Sequence, residues 1–255
     1  MKEVYAEESF YYLVMKLLDF KDVLKTYKSE KHGKEILEKY RKWFPLYASK
    51  ELSGLVADLM CDGHLQGYPK LRFDYISKYP KELMRFEKIL YNLFGIKGKI
   101  RHVDGNEFGT SFIYGVNCKP LARLLLTVGV PHGAKVLKEF RIPKWILEDK
   151  EYFREFVRRA YLCEGSFYKK DFFIGLQFYK ADYLKDNGFE FVGDIRNNMI
   201  KHFGIRCSRV YTYKAKCIRK DDIKTIPIKF TIHGRKQFEK FEKEININVG
   251  NHKIK

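Results

Sequence analysis

The chain has 255 residues, 45% of them apolar, and carries 50 Lys and Arg against 32 Asp and Glu, a formal net charge of +18. That length allows one large domain or two small ones around a packed core, and the charge favours a polyanionic partner, because each neutralised phosphate releases counterions. The apolar runs are too short and too interrupted by charge to span a membrane, and Met1–Glu8 carries acids where a signal peptide has a basic region, so an intracellular, cytoplasmic protein is expected.

Residues 1–48 read as a helical N-terminal extension. Phe10, Leu13, Leu17, Phe20 and Leu24 form a helical stripe over 9–25. A second helix is expected over Lys34–Phe44, after a polar break at 29–33, and Pro45 ends it. The pair is expected to pack against the main body.

A buried helix follows from Ser49, its cap, to Asp62, with small residues Gly54, Ala57 and Cys61 along one side. Next come two strands, the second over Leu71–Ser77 and ending at Lys78, then a helix that Pro80 opens and Gly95 stops. Strands near 97–103 and 110–116 and a helix over 120–128 complete a unit of helix, two strands, helix, two strands, helix. Residues 129–149, with two prolines and two glycines, read as a linker anchored by Trp145 and Ile146. The second unit, over 150–247, has a helix from Lys150 to Glu164, a strand over 172–179 ending at Lys180, and a helix to Phe203. Strands over 208–214 and 224–232 and a helix over 234–245 complete it, and 248–255 read as a polar tail. Five cysteines (61, 118, 163, 207 and 217), an odd number with no Cys-x-x-Cys pair, argue against a disulfide framework or zinc knuckle.

The two units repeat. Cys61-Asp62-Gly63 is answered by Cys163-Glu164-Gly165, and each acid lies 16 residues before a strand-terminal lysine, Lys78 or Lys180. Phe94-Gly95-Ile96 is answered by Phe203-Gly204-Ile205 after 32 and 39 residues respectively, which implies an insertion near 186–188 in the second unit. Two such helices packed side by side bring both acids to one end. Like charges held together need a cation, and carboxylate oxygens suit Mg²⁺ or Mn²⁺. The lysines would sit near the pair and stabilise a phosphoryl transition state. Outward strand residues would contact DNA: Arg72, Asp74 and Ile76 in one half, Gln177, Tyr179, Arg209, Tyr211 and Tyr213 in the other. Lys97, Lys99 and Arg101 alternate on what reads as a phosphate-facing strand.

The paired acid-Gly helices, in Leu55–Gly63 and Phe156–Gly165, resemble the LAGLIDADG homing endonucleases in their monomeric, two-motif form, over roughly residues 49–247. The resemblance implies an α+β fold of tandem pseudo-symmetric αββαββα repeats, and metal-dependent cleavage of long pseudo-palindromic duplex DNA with short 3′ overhangs. It implies metal binding at Asp62 and Glu164 beside Gly63 and Gly165, and assistance from Lys78 and Lys180. A freestanding or intron-encoded protein is expected rather than an intein. The alternative on the same scaffold is a non-cutting DNA-binding regulator or an RNA maturase with intron RNA as partner. Arg159 departs from the family pattern. It stands where the first motif has Ala57, and a long cation inside a tight helix interface is costly unless it escapes to the edge.

Overall fold

The computed structural model describes residues 15–106, 109–213 and 217–247. Phe10, Leu13, Lys214 and the tail from 248 therefore lie outside the described residues. No described helix is long and apolar enough to cross a membrane.

The extension departs from the two expected helices. Lys16–Leu18 is a strand (β1), followed by α1 (Phe20–Leu24) and α2 (Glu30–Leu37). A 3-10 turn over Glu38–Trp43 leads into β2 (Leu46–Tyr47), which pairs antiparallel with β1. Leu17 and Phe20 thus belong to different elements. Ser29 does not mark a break: its side chain caps α2, and Gly33 lies inside that helix, where a Cβ would meet Leu24 at 2.7 Å. The extension does pack on the body. Trp43 donates its indole N–H to the Phe94 carbonyl at 2.8 Å, and the Arg123 guanidinium lies 4.2 Å over the Tyr27 ring.

The first αββαββα unit follows. It contains α3 (Lys50–Met60), β3 (Gly63–Gln66), β4 (Arg72–Ser77), α4 (Pro80–Phe94), β5 (Lys99–Asn106), β6 (Gly109–Val116) and α5 (Lys119–Val128). Ser49 caps α3 by accepting from the Leu52 N–H at 3.1 Å, and Gly95 ends α4 with φ at 68°, where a side chain would be strained. The strands form an antiparallel sheet in the order β3-β4-β6-β5. One face turns Phe73, Tyr75 and Tyr114 onto α4, where Tyr75 stacks on Phe86.

The connecting stretch is more ordered than a linker reading suggests. It holds a 3-10 turn at Lys135–Leu137 and α6 (Lys144–Glu148), with Trp145 and Ile146 buried as anchors. The Gly133 N–H bonds the Leu65 carbonyl at 2.8 Å, so the chain passes beside β3 as it leaves the first unit.

The second unit has α7 (Lys150–Glu164), β7 (Gly165–Tyr168), β8 (Phe173–Ala181), α8 (Lys185–Phe203), β9 (Tyr211–Thr212), β10 (Cys217–Ile218), β11 (Lys224–His233) and α9 (Arg235–Ile245). The expected insertion is not a loop. Relative to the first unit, the second adds a three-residue 3-10 turn at Asp182–Leu184 and a helix of 19 residues where α4 has 15. Gly188 sits inside α8 because a Cβ there would meet Ile228 at 2.3 Å and Lys180 at 2.8 Å.

Candidate functional site

The site is built on α3 and α7, which lie lengthwise against each other and run the same way. Three cross-links show it. Near the N-terminal ends the Ser53 hydroxyl donates to the Tyr152 carbonyl at 2.7 Å. In the middle the Arg159 Nε donates to Asp58 Oδ1 at 2.8 Å. Near the C-terminal ends Cys61 and Cys163 are neighbours, and the Cys61 side chain and burial push the Cys163 thiol well up. Asp62 and Glu164, one residue beyond each cysteine, therefore emerge at the same end of the helix pair. Asp62 is exposed and Glu164 half-buried.

Arg159 does not escape to the edge. It is 1% exposed, and a polar network receives it. Its Nη2 donates to Glu82 Oε2 at 2.8 Å, and Asp58, fully buried, also accepts from Arg85 Nη2 at 2.7 Å. Burial alone would raise the Glu82 carboxyl, but Arg159 and Arg85 together hold it below the usual carboxylate range. Two carboxylates and two guanidiniums thus pair across the crossing of the two units, with Arg85 Nη1 buried and without a hydrogen-bond partner. Asp58, four residues before the motif acid, carries no sequence signal of this kind, since its partner lies 101 residues away.

The two lysines of the repeat are not equivalent. Gly63 pairs with Tyr75, but Gly165 pairs with Leu176, so the second hairpin is one residue shorter. A one-residue change in register turns a side chain to the other face of a sheet. The counterpart of Lys78 is consequently Tyr179, which is exposed. Lys180 falls on the core face, 2% exposed, with its ammonium 3.9 Å over the Phe140 ring. It donates to the carbonyls of Lys135, at 3.1 Å, and Lys138. Burial lowers it to about 8, opposed by Glu139. The identical spacing of 16 residues hides this difference, and Lys180 is not aimed at the acid pair. Lys78 is exposed just beyond β4.

A lysine from the connecting stretch stands at the carbonyls on either side of the first acid. The Lys135 ammonium donates to the carbonyls of Leu59 (3.2 Å), Cys61 and Gly63 (2.6 Å) at the C-terminal end of α3. Burial lowers it, while Cys61, Glu164 and Asp62 push it back up. Nothing in a linker sequence singles out this lysine. Among the described residues no three His, Cys, Asp or Glu side chains gather as a metal-binding group. The carboxylates of Asp62 and Glu164 are side-chain oxygen donors at this end of the helices.

The outer faces of the sheets, turned away from the helices, carry the expected contact residues. On the first, Arg72, Asp74 and Ile76 alternate with buried Phe73 and Tyr75. Arg72 Nε donates to Gln66 at 3.1 Å. Arg101 Nη2 reaches Asp74 at 3.4 Å across Gly115, whose missing Cβ leaves the room. Lys99 and Arg101 lie exposed on β5, but Lys97 precedes the strand and lies 5.1 Å over the Tyr91 ring. On the second sheet Gln177 donates to the Tyr179 hydroxyl at 2.9 Å and accepts from the Tyr213 hydroxyl at 3.1 Å. Lys229, which the sequence reading missed, lies over the rings of Tyr211 and Tyr213 at 5.3 and 4.5 Å. Arg209 is exposed in the approach to β9.

No family model matches the chain. A curated relative, a tRNA-splicing ligase RtcB of Pyrococcus abyssi, is 28% identical over 164 residues, 59% of this chain and 18% of the ligase. The chain thus spans about a fifth of the length of the curated relatives it matches. Among solved structures, the homing endonuclease I-WcaI bound to its DNA recognition sequence superposes with a TM-score of 0.52 at 13% identity, covering 89% of this chain and 92% of that one. Full-length DUF199/WhiA from Thermatoga maritima superposes with a TM-score of 0.50 at 13% identity, covering 85% of this chain and 62% of that one. The chain has the homing-endonuclease fold: an α+β architecture of two pseudo-repeated units with antiparallel sheets.

Proposed function

We propose that the chain is a site-specific double-stranded DNA endonuclease of the homing type, hydrolysing phosphodiesters with Mg²⁺ or Mn²⁺ at Asp62 and Glu164. One observation carries the reading: α3 and α7 run parallel in contact, so the motif acids of both units emerge at the same end. Two carboxylates fit the donor set that Mg²⁺ takes, since this ion keeps several waters and completes its shell with substrate phosphate. A bound divalent ion would supply charge neutralisation at the scissile phosphate. Asp62 and Glu164 would hold it there, and Lys78, just beyond β4, would stabilise charge on the phosphate oxygens. Arg72, Lys99, Arg101, Gln177, Tyr213 and Lys229 would meet the duplex from the two outer faces, the positive charges on its backbone and the amides and hydroxyls on base edges. The net charge of +18 suits that partner.

A second reading has one observation in its favour. Tyr179 stands where the first unit has Lys78, so the second unit lacks a strand-end lysine beside its acid. A DNA-binding regulator or RNA maturase on the same scaffold would tolerate that loss. The deciding experiment offers purified protein and Mg²⁺ or Mn²⁺ a deep library of duplex DNA, with Asp62→Asn/Glu164→Gln as control. The endonuclease reading expects discrete cuts from the wild type alone. Sequence-specific binding without cutting would favour the second reading.

A further inference from the structure

An ammonium group has three N–H bonds, and Lys135 directs its own at three carbonyls, those of Leu59, Cys61 and Gly63. These oxygens form the negative end of α3 and its continuation into β3. The cation is held from behind as well, because the buried Lys180 donates to the backbone carbonyl of Lys135 itself. It is therefore a built feature: one lysine fixes the connecting chain, and the other places a positive charge at the carbonyls on either side of Asp62.

That position is where a divalent ion would bring its own charge. The Gly63 carbonyl, beside the first acid, is already an acceptor for Lys135 at 2.6 Å. We propose that Lys135 is a positioning residue that acts as a resident placeholder cation. It balances the acid pair in the DNA-free protein and disfavours a divalent ion there until phosphate oxygens add further negative charge. The inference rests on the reading of Asp62 and Glu164 as a metal-binding pair. Its consequence is that metal loading depends on bound DNA, because in the free protein a lysine already stands at the carbonyls that flank the first acid. A unit like charge beside a divalent ion in a half-buried site weakens binding by a factor of about ten or more.

The test is Mn²⁺ binding to the DNA-free protein, followed by electron paramagnetic resonance of the free ion. Lys135→Gln keeps N–H donors for the carbonyls and removes the charge; Lys135→Arg keeps the charge, and Lys135→Met removes both charge and donors. The proposal expects Mn²⁺ to bind K135Q and K135M about tenfold more tightly than wild type, K135R to match wild type, and Asp62→Asn in the K135Q background to abolish the gain. If K135Q and K135M bind no more tightly than wild type while Asp62→Asn still weakens binding, the placeholder is wrong and the metal pair stands. If the tightened binding survives Asp62→Asn and Glu164→Gln, the ion is elsewhere and both readings fail.

Discussion

At the residue scale, what distinguishes this chain is how its polar residues at the helix crossing are satisfied. Arg159 alone is an expensive residue to bury, but with Asp58, Arg85 and Glu82 each charge finds an opposite one. Removing one member of such a set leaves an uncompensated buried charge, which costs about 3–5 kcal/mol, whereas replacing a pair by apolar residues is often neutral. Asp58→Ala is therefore expected to destabilise the protein by about 3 kcal/mol or more. Asp58→Leu/Arg159→Met is expected to recover much of that loss, with Arg85, 21% exposed, turning to solvent and to Glu82. Chemical denaturation of Asp58→Leu, Arg159→Met and the double variant closes the cycle; additive losses would mean that the network is not coupled.

At the element scale, the glycines that follow α3 and α7 admit no side chain. A Cβ on Gly165 would stand 2.3 Å from the Tyr161 carbonyl oxygen, and one on Gly63 would stand 2.6 Å from the Leu59 Cα. Both neighbours are backbone and cannot move aside. A Cβ on Gly54 meets only the Glu155 carboxylate at 3.0 Å, which can swing away, and alanine gains about 1 kcal/mol of helix propensity. Gly165→Ala is expected to cost about 2 kcal/mol and Gly54→Ala to be near neutral; thermal melts would contradict this if Gly54→Ala proved the worse of the two. Much of this level was legible in the sequence. The bounds of α7 and the glycine stops of α4 and α8 follow from local pattern, and so does the repeat. What was not legible depends on register and path. The spacing of Lys180 matched that of Lys78, yet a hairpin shorter by one residue turns it into the core. Lys135 reads as one charge among many in a linker until the chain is seen to pass beside β3. In the extension, Phe10–Leu24 spells a helical stripe, but Leu18 pairs with Leu46 and the backbone over Lys16–Leu18 is a strand.

At the scale of the whole molecule, two units share one helix pair and present two sheets, and the asymmetry between them falls on the charged groups. The first unit brings Asp62, Lys78 and the basic strand β5; the second brings Glu164 and the Tyr179–Gln177–Tyr213 array with Lys229 above its rings. The connecting stretch contributes Lys135 between them. A duplex lying across both outer faces would therefore meet more cationic side chains from one half and more aromatic and amide groups from the other, an arrangement suited to a site whose halves differ in sequence. The measurement that bears most directly on the acid pair is anomalous scattering from Mn²⁺ in crystals of the protein with a duplex recovered by the library selection. The account predicts Mn²⁺ between the Asp62 and Glu164 carboxylates, in contact with a DNA phosphate. Manganese bound elsewhere, or a DNA complex with none at the pair, would contradict it.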